Sequence, residues 1–196
     1  MHQLIRVVVA AEDASDATRR AQSALGPHGG LSNYYDYGKL MNENRARWKE
    51  GMPDEITESG AILADSDDGM TLITGAWEST MSEMKRDLAA IRKGIEMFDD
   101  EEIMGSAIVE DIEVEPWNPM GLASNEDEYA TTYTTDVRYA MYCFGSYGGP
   151  SYYLYNEYGE ATRSPEEYER LLEKIENEET PEDDEKWYVV PVDVHY

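Results

Sequence analysis

The excess of acidic over basic side chains constrains this chain more than any motif does. It has 42 Asp and Glu residues against 16 Lys and Arg in 196 residues, a formal net charge of −26. A fold with this charge must keep most carboxylates solvated, because like charges destabilise a compact state. The same excess excludes a broad basic face for nucleic acid and a polybasic membrane anchor.

The apolar side chains are few and unusual in kind. Leu, Ile, Val and Phe number only 33, a fraction that by itself is typical of disorder. However, the chain also has 15 Tyr, 4 Trp and 10 Met, together with clearly periodic segments. We therefore expect a folded protein with few aliphatic core residues and many aromatic ones, and its length suits one domain spanning residues 1–196.

This composition resembles that of cytoplasmic proteins of extreme halophiles, including proteins encoded by their viruses. Lysine is scarce, with 6 Lys against 10 Arg, and acidic surfaces of this kind stay hydrated while molar salt screens their repulsion. An acidic protein from a low-salt cell is the alternative. No stretch has the pattern of a signal peptide or of a membrane span, so the expected location is the cytoplasm.

Hydrophobic periodicity and capping residues predict the secondary structure. We expect strands over residues 4–11, 61–64, 70–76, 106–115, 129–144, 151–156 and 187–196. We expect helices over residues 14–25, 42–50, 81–98 and 164–175. Residues 61–76 are predicted to form a hairpin, because an Asp-Gly pair lies between the two runs. The strand at 151–156 is predicted to pair back onto the strand that precedes it.

These elements predict an α+β fold. Strands adjoin one another and helices intervene irregularly, which favours a single domain with a mixed or mostly antiparallel sheet and about three to four helices packed on it. An acidic loop over residues 176–186 precedes the last strand. Pro191 predicts that this C-terminal strand lies at an edge of the sheet, because proline cannot donate a ladder hydrogen bond.

The clearest periodic helix is the one over residues 81–98. Its apolar residues recur at intervals of three and four and predict the buried seam: Met81, Met84, Leu88, Ile91, Ile95 and Phe98. The charged residues between them, which include Glu83, Arg86 and Asp87, are expected on the outer face. Cys143 is the only cysteine, so it forms no intramolecular disulfide, and its strand position predicts a buried thiol.

The charge is also distributed unevenly along the chain. Residues 1–98 have a net charge of −5 and residues 99–196 have a net charge of −21. If the two halves interleave in the fold, the surface has no separate acidic and basic faces. If they do not, an acidic face is available to recruit a basic partner or another copy of the chain.

Clusters of tyrosine are the best indication of a binding surface, since tyrosine buries a large area while its hydroxyl keeps a hydrogen-bond partner. They serve equally well as core filler in a chain with few aliphatic residues. The candidate binding residues are Tyr34, Tyr35, Tyr37, Tyr147, Tyr152, Tyr153 and Tyr155.

The sequence has no phosphate-binding glycine loop, no pair of histidines on one helix face and no recognisable catalytic set. We therefore predict no catalytic residues, no metal site and no cofactor. The expected function is that of a non-enzymatic accessory protein of a halophilic archaeon or its virus, which binds a protein partner or assembles with itself. One alternative is a DNA-mimicking inhibitor of a nucleic-acid enzyme, and another is a small enzyme with a site near His28 and the tyrosine-rich loop.

Overall fold

The computed structural model describes residues 2–26, 28–33, 37–40, 60–113, 132–146 and 151–195. The predicted helix over residues 42–50 lies outside these ranges. Within them, helices and a mixed sheet are combined irregularly, and the predicted α+β class is confirmed. The described residues form five α-helices, rather than the three to four that were predicted. None of these helices is long and apolar enough to cross a membrane.

Five strands form the main sheet, with β7 and β1 at its centre. The strands are β1 (His2–Ala11), β2 (Tyr37–Leu40), β3 (Ile62–Leu63), β6 (Leu154–Asn156) and β7 (Lys186–His195). The order is β2-β7-β1-β6, and β3 also pairs with β7. The β1–β6 pair is parallel, and the other pairs are antiparallel. Two further strands, β4 (Ile108–Glu113) and β5 (Thr132–Asp136), form a separate antiparallel pair.

The helices cover both faces of the main sheet and one face of the small pair. They are α1 (Ala14–Leu25), α2 (Asp67–Met97), α3 (Asp100–Met104), α4 (Val137–Gly145) and α5 (Pro165–Glu176), with a short 3₁₀ helix at Gly30–Asn33. Ile5, Val7 and Val9 of β1 share a core with α1, whereas Leu4 and Val8 share a core with α2 and α5. Burial on both faces explains why β1 is apolar on both faces from Val7 to Ala11 instead of alternating.

The elements with clear end signals form where they were predicted. The side chain of Asp13 caps α1 by accepting from the Asp16 N–H at 2.9 Å. The hydroxyl of Ser164 caps α5 by accepting from the Glu167 N–H at 3.2 Å, and Pro165 occupies the first turn. These contacts satisfy N–H groups that have no partner inside the helix.

The predicted hairpin over residues 61–76 is wrong. The short strand β3 pairs with β7, and a single 31-residue helix, α2, begins at Asp67. Ser66 is its N-cap, accepting from the Gly69 N–H at 3.1 Å, and Asp67 and Asp68 lie in the first turn, where the helix dipole favours negative charge. The Asp-Gly pair therefore starts a helix here instead of closing a turn.

The predicted strand over residues 129–144 is wrong in its second half. Strand β5 ends at Asp136, whose carboxylate caps α4 by accepting from the Arg138 N–H at 2.8 Å. Val137, Ala140 and Cys143 are buried at helical spacing, while Tyr139 and Met141, which a strand would place on the same face as Val137 and Cys143, are exposed. The burial of the Cys143 thiol is confirmed.

The pairing of two other predicted strands also differs. Strand β6 does not form a hairpin with the segment before it, but pairs parallel to β1 with Arg6 opposite Leu154. Strand β7 is not an edge strand, because β1 pairs along one side of it and β2 and β3 along the other. The N–H of Arg6 donates to the Tyr153 carbonyl, on the β6 side of β1. Because Pro191 is the residue of β7 opposite Arg6, its nitrogen lies on the side of β7 that faces away from β1. On that side, Pro191 falls between the residues that pair with β2 and those that pair with β3.

The buried face of α2 differs from the predicted seam. Ile95 is 61% exposed and the other seam residues are only partly buried, whereas Thr80, Glu83, Asp87, Ala90 and Gly94 are buried. Gly94 lets α2 approach α4 closely, since a methyl group there would lie 2.4 Å from Val137. Small and polar residues thus form the packed face, which a count of apolar residues does not detect.

Candidate functional site

The predicted binding tyrosines do not form one surface among the described residues. Tyr152, Tyr153 and Tyr155 are all buried, the first and third in the core beneath α1 and Tyr153 in the core beneath α2. These three act as core filler. Tyr34, Tyr35 and Tyr147 lie outside the described residues, as does the side chain of Tyr37 at the start of β2.

A different set of apolar side chains is exposed. We define the small module as the second half of α2 together with α3, β4, β5 and α4, which share a core of their own. Among the described residues, seven of the nine exposed large hydrophobic side chains lie on this module: Ile95, Met97, Met104, Ile108, Tyr139, Met141 and Tyr142. The other two, Leu63 and Tyr158, lie on the main-sheet side.

Four of the seven belong to neighbouring segments, and we call them the apolar patch: Met104, Ile108, Tyr139 and Tyr142. The ring centroids of Tyr139 and Tyr142 lie 6.5 Å apart. Ile108 is paired with Asp136, whose carboxylate accepts from the Tyr139 N–H, so β4 and the start of α4 are neighbours. The guanidinium of Arg138 donates to the Met104 carbonyl at 2.8 Å, which joins α4 to α3. Exposed large apolar side chains on neighbouring segments make this part of the module a candidate interaction surface.

The surroundings of the apolar patch are mainly acidic. The exposed acidic residues of this region are Glu96, Asp99, Asp100, Glu101, Glu102 and Glu110. The basic residues near them are fewer, and two of these are engaged, since Lys93 donates to the Glu110 carbonyl and Arg138 to that of Met104. The patch therefore lies on a module whose described, exposed charged side chains are mainly acidic, and we call these carboxylates the acidic rim.

A second functional candidate is a buried polar cluster in the middle of α2, which the sequence analysis missed. Tyr153 donates its hydroxyl to Glu83 at 3.3 Å, and Ser151 donates its hydroxyl to Asp87 at 2.8 Å. The Tyr153 N–H donates to the hydroxyl of Thr80 at 3.0 Å. The segment leading into β6 is thereby tied to one face of α2.

Arg86 supplies positive charge beside these carboxyls, and a second arginine, Arg6, acts on Tyr153 of the same cluster. Arg86 pairs with Glu83, and its guanidinium lies 4.2 Å from the centre of the Tyr133 ring on β5. Arg6, on β1, is fully buried and donates to the Leu4 carbonyl at 2.8 Å. Burial lowers the pKa of Arg6 to about 10, so the side chain remains cationic at neutral pH.

Burial dominates the acid–base properties of the cluster. It raises the pKa of Glu83 to about 7, against the opposing influence of Arg86 and with a further increase from Asp87 one turn away. Burial also raises the pKa of Asp87 and that of the Cys143 thiol. Because Glu83 and Asp87 are only 4% and 1% exposed, the cluster can bind and release a proton but presents no carboxylate to a substrate.

The remaining candidates from the sequence are not assembled into a site. His28 is exposed in the loop after α1, and the tyrosines expected near it lie outside the described residues. Within the part of the chain that is described, no group of three or more His, Cys, Asp or Glu residues has a geometry suited to a metal ion.

The raised pKa of Glu83 predicts an unusual pH dependence of stability. Its folded-state pKa lies above the ordinary value of 4.5, so the neutral form favours the fold and stability falls as pH rises from about 4.5 to 7. We expect the free energy of unfolding to fall by on the order of 3 kcal/mol over this interval. Urea unfolding between pH 4.5 and 8 at fixed salt measures this change.

The Glu83→Gln variant removes the titrating group and should flatten the profile over the same interval. Glu96→Gln, an exposed position on the same helix, is the matched control and should keep the wild-type slope. If the wild-type profile is flat, or if Glu83→Gln retains the slope, Glu83 does not control the pH dependence.

Comparison with known proteins shows the family and no more. No curated protein and no solved structure matches the chain. The model of a family described as a domain of unknown function (DUF7995) matches residues 1–113 and 120–196. Since this match covers nearly the whole sequence, the chain belongs to the DUF7995 family.

Proposed function

We propose that this chain is a non-enzymatic accessory protein that binds another protein through the apolar patch of the small module. The observation that carries the proposal is the concentration of exposed large hydrophobic side chains on that module. Exposed methionine and tyrosine suit such a role, because both are enriched at protein interfaces and methionine adapts its shape to a partner.

The acidic rim indicates the chemistry of the partner. A surface with apolar anchors and flanking Lys or Arg would bury the patch and complement exposed carboxylates of the same module, such as Asp99 and Glu102 at the helix that contains Met104. A second copy would place the same acidic rim against itself, which costs free energy unless salt screens the repulsion. We therefore commit to a basic partner protein rather than to self-assembly.

The host we propose is a halophilic archaeon or its virus, with the protein in the cytoplasm. The support is the composition: carboxylates far outnumber cations, and lysine is scarce. In molar salt the long-range charge term is weak, whereas the burial of apolar surface still favours association. The patch then provides affinity and the rim provides selectivity at close range.

No observation favours the DNA-mimicking alternative. That role calls for one contiguous acidic face, but the described acidic clusters lie apart. Residues 99–102 lie just after the end of α2. The acidic loop leads into β7 near the start of α2, since the Trp187 carbonyl accepts from the Ala64 N–H there. The enzyme alternative likewise has no assembled site around His28 within the described residues.

Binding of a basic amphipathic helix tests the proposed surface. The probe is a designed peptide of Leu and Lys, with a Leu and Glu peptide of the same pattern as its control. We expect the double variant Ile108→Thr/Tyr142→Ser to weaken binding of the Leu–Lys peptide about tenfold, because central apolar contacts dominate interface energies. Fluorescence anisotropy of the labelled peptide measures the dissociation constant.

A matched double variant, Leu63→Thr/Tyr158→Ser, removes an exposed aliphatic and an exposed tyrosine from the other side of the molecule. It should leave peptide binding unchanged. Equal losses in both double variants would contradict the assignment of the patch. Sedimentation showing a dimer that Ile108→Thr/Tyr142→Ser abolishes would overturn the basic partner in favour of a second copy.

Thermal melting in KCl tests the proposed high-salt host. If the acidic surface is a salt adaptation, the melting temperature should rise by about 10 °C or more between 0.1 and 3 M KCl, because screening removes self-repulsion in the folded state. Circular dichroism follows the melt. A melting temperature that does not change with KCl would contradict the halophilic assignment.

A further inference from the structure

A cleft of about 590 Å³ lies between α5 and the main sheet, at the carboxyl end of β6. Val8 of β1, Asn156 of β6, Leu171 of α5 and Trp187 of β7 contribute to its walls. It lies away from the apolar patch, because none of the elements that line it belongs to the small module.

The topology explains why a cleft forms there. Strands β1 and β6 are parallel neighbours, and each is followed by a helix. Helix α1 packs on one face of the sheet through Ala17 and Ala21, whereas α5 packs on the opposite face through Leu171 and Ile175. The two helices that follow these adjacent parallel strands lie on opposite faces of the sheet. In open α/β sheets, the crevice at the carboxyl ends of such a strand pair is where ligands bind.

Two cations on α5 point to the charge of the ligand. Arg170 and Lys174 are one helical turn apart, line the cleft and are exposed. Within the described residues, neither head group has a hydrogen bond or an ion pair. The positive charge of Arg170 helps to lower the pKa of Glu166. With Arg163, these cations balance the three carboxylates of the lining, whereas the whole chain has a net charge of −26.

The carboxylates that line the cleft already have partners. Glu157 lies 3.6 Å from the guanidinium of Arg20 on α1. Glu160 accepts from the side-chain amide of Asn156 at 2.8 Å. Glu167 accepts from the backbone N–H of Arg163 at 2.8 Å. These carboxylates hold the wall together, so Arg170 and Lys174 remain to receive an anionic group.

The rest of the wall is suited to a flat apolar body. Trp187 is partly exposed, with its indole N–H donating to the Glu179 carbonyl at 3.1 Å, which fixes the ring. Leu171 and Val8 extend this apolar surface, and the exposed ring of Tyr158 stands at the rim. Ligand sites commonly combine such an apolar lining with a few placed polar groups.

We infer that this cleft binds a small organic anion, in which a phosphate or carboxylate group is joined to a flat ring. The anionic group contacts Arg170 and Lys174, and the ring lies against Trp187 and Leu171. This site is separate from the apolar patch, and its existence does not depend on the proposed protein-binding function.

Isothermal titration calorimetry with four probes tests this inference: AMP, 4-hydroxybenzoate, inorganic phosphate and adenosine. We expect one of the two ring-bearing anions to bind, and to bind more tightly than phosphate or adenosine alone. Binding of AMP identifies a phosphate ligand, and binding of 4-hydroxybenzoate identifies a carboxylate ligand. The double variant Arg170→Gln/Lys174→Gln should weaken the binding of that anion about tenfold or more, because the charge-assisted hydrogen bonds from both head groups are lost.

The matched control is Lys85→Gln/Arg92→Gln, which removes one exposed Lys and one exposed Arg from α2 and makes the same change in net charge. It should leave the affinity within twofold of wild type. Three results would overturn the inference: neither ring-bearing anion binds, both double variants lose affinity equally, or inorganic phosphate binds as tightly as the ring-bearing anion that binds.

Discussion

The burial of two carboxyl groups on one helix is the interaction on which the rest of this structure depends. Glu83 and Asp87 lie one turn apart on α2, and an unpartnered charge in such a place would cost several kcal/mol. Hydrogen bonds from Tyr153 and Ser151 and the contact with Arg86 satisfy them. These contacts hold the segment before β6 in register with the helix.

The same helix joins the two parts of the molecule. At 31 residues, α2 is about 46 Å long. Its first half packs against the main sheet through Leu72 and Ile73, and its second half packs against β4, β5 and α4 through Ala90. The buried polar cluster lies between these two contacts. The apolar patch consequently lies on the small module and the cleft beside α5 lies on the main sheet, and α2 connects these two parts.

Local signals predicted the elements that they dominate. The cap residues Asp13 and Ser164 and the apolar run of β1 were sufficient to place α1, α5 and β1. Prediction failed where a helix cap was not recognised: Ser66 before the Asp-Gly pair and Asp136 before the alternating run each start a helix. The edge position predicted from Pro191 failed because, among the described residues, β2 and β3 pair with β7 on either side of Pro191 and not with Pro191 itself.

The candidate sites were harder to predict, because they depend on which face of each element is covered. A count of apolar residues placed Ile95 inside and Glu83 outside, and the structure reverses both. The tyrosines chosen as a surface include three that fill the core, whereas Tyr142, outside that choice, is exposed. Thr80, Ala90 and Gly94 on one face of α2 are the sequence signal for close packing there.

The central claim is that α2 and its buried polar cluster join the main sheet and the small module into one cooperative unit. Native-state hydrogen exchange in increasing urea, read by mass spectrometry, tests it most directly. We expect amides of β1 and β7 and those of β4 and β5 to open at the same urea concentration. Opening of β4 and β5 at a clearly lower concentration, with the main sheet still protected, would contradict the claim.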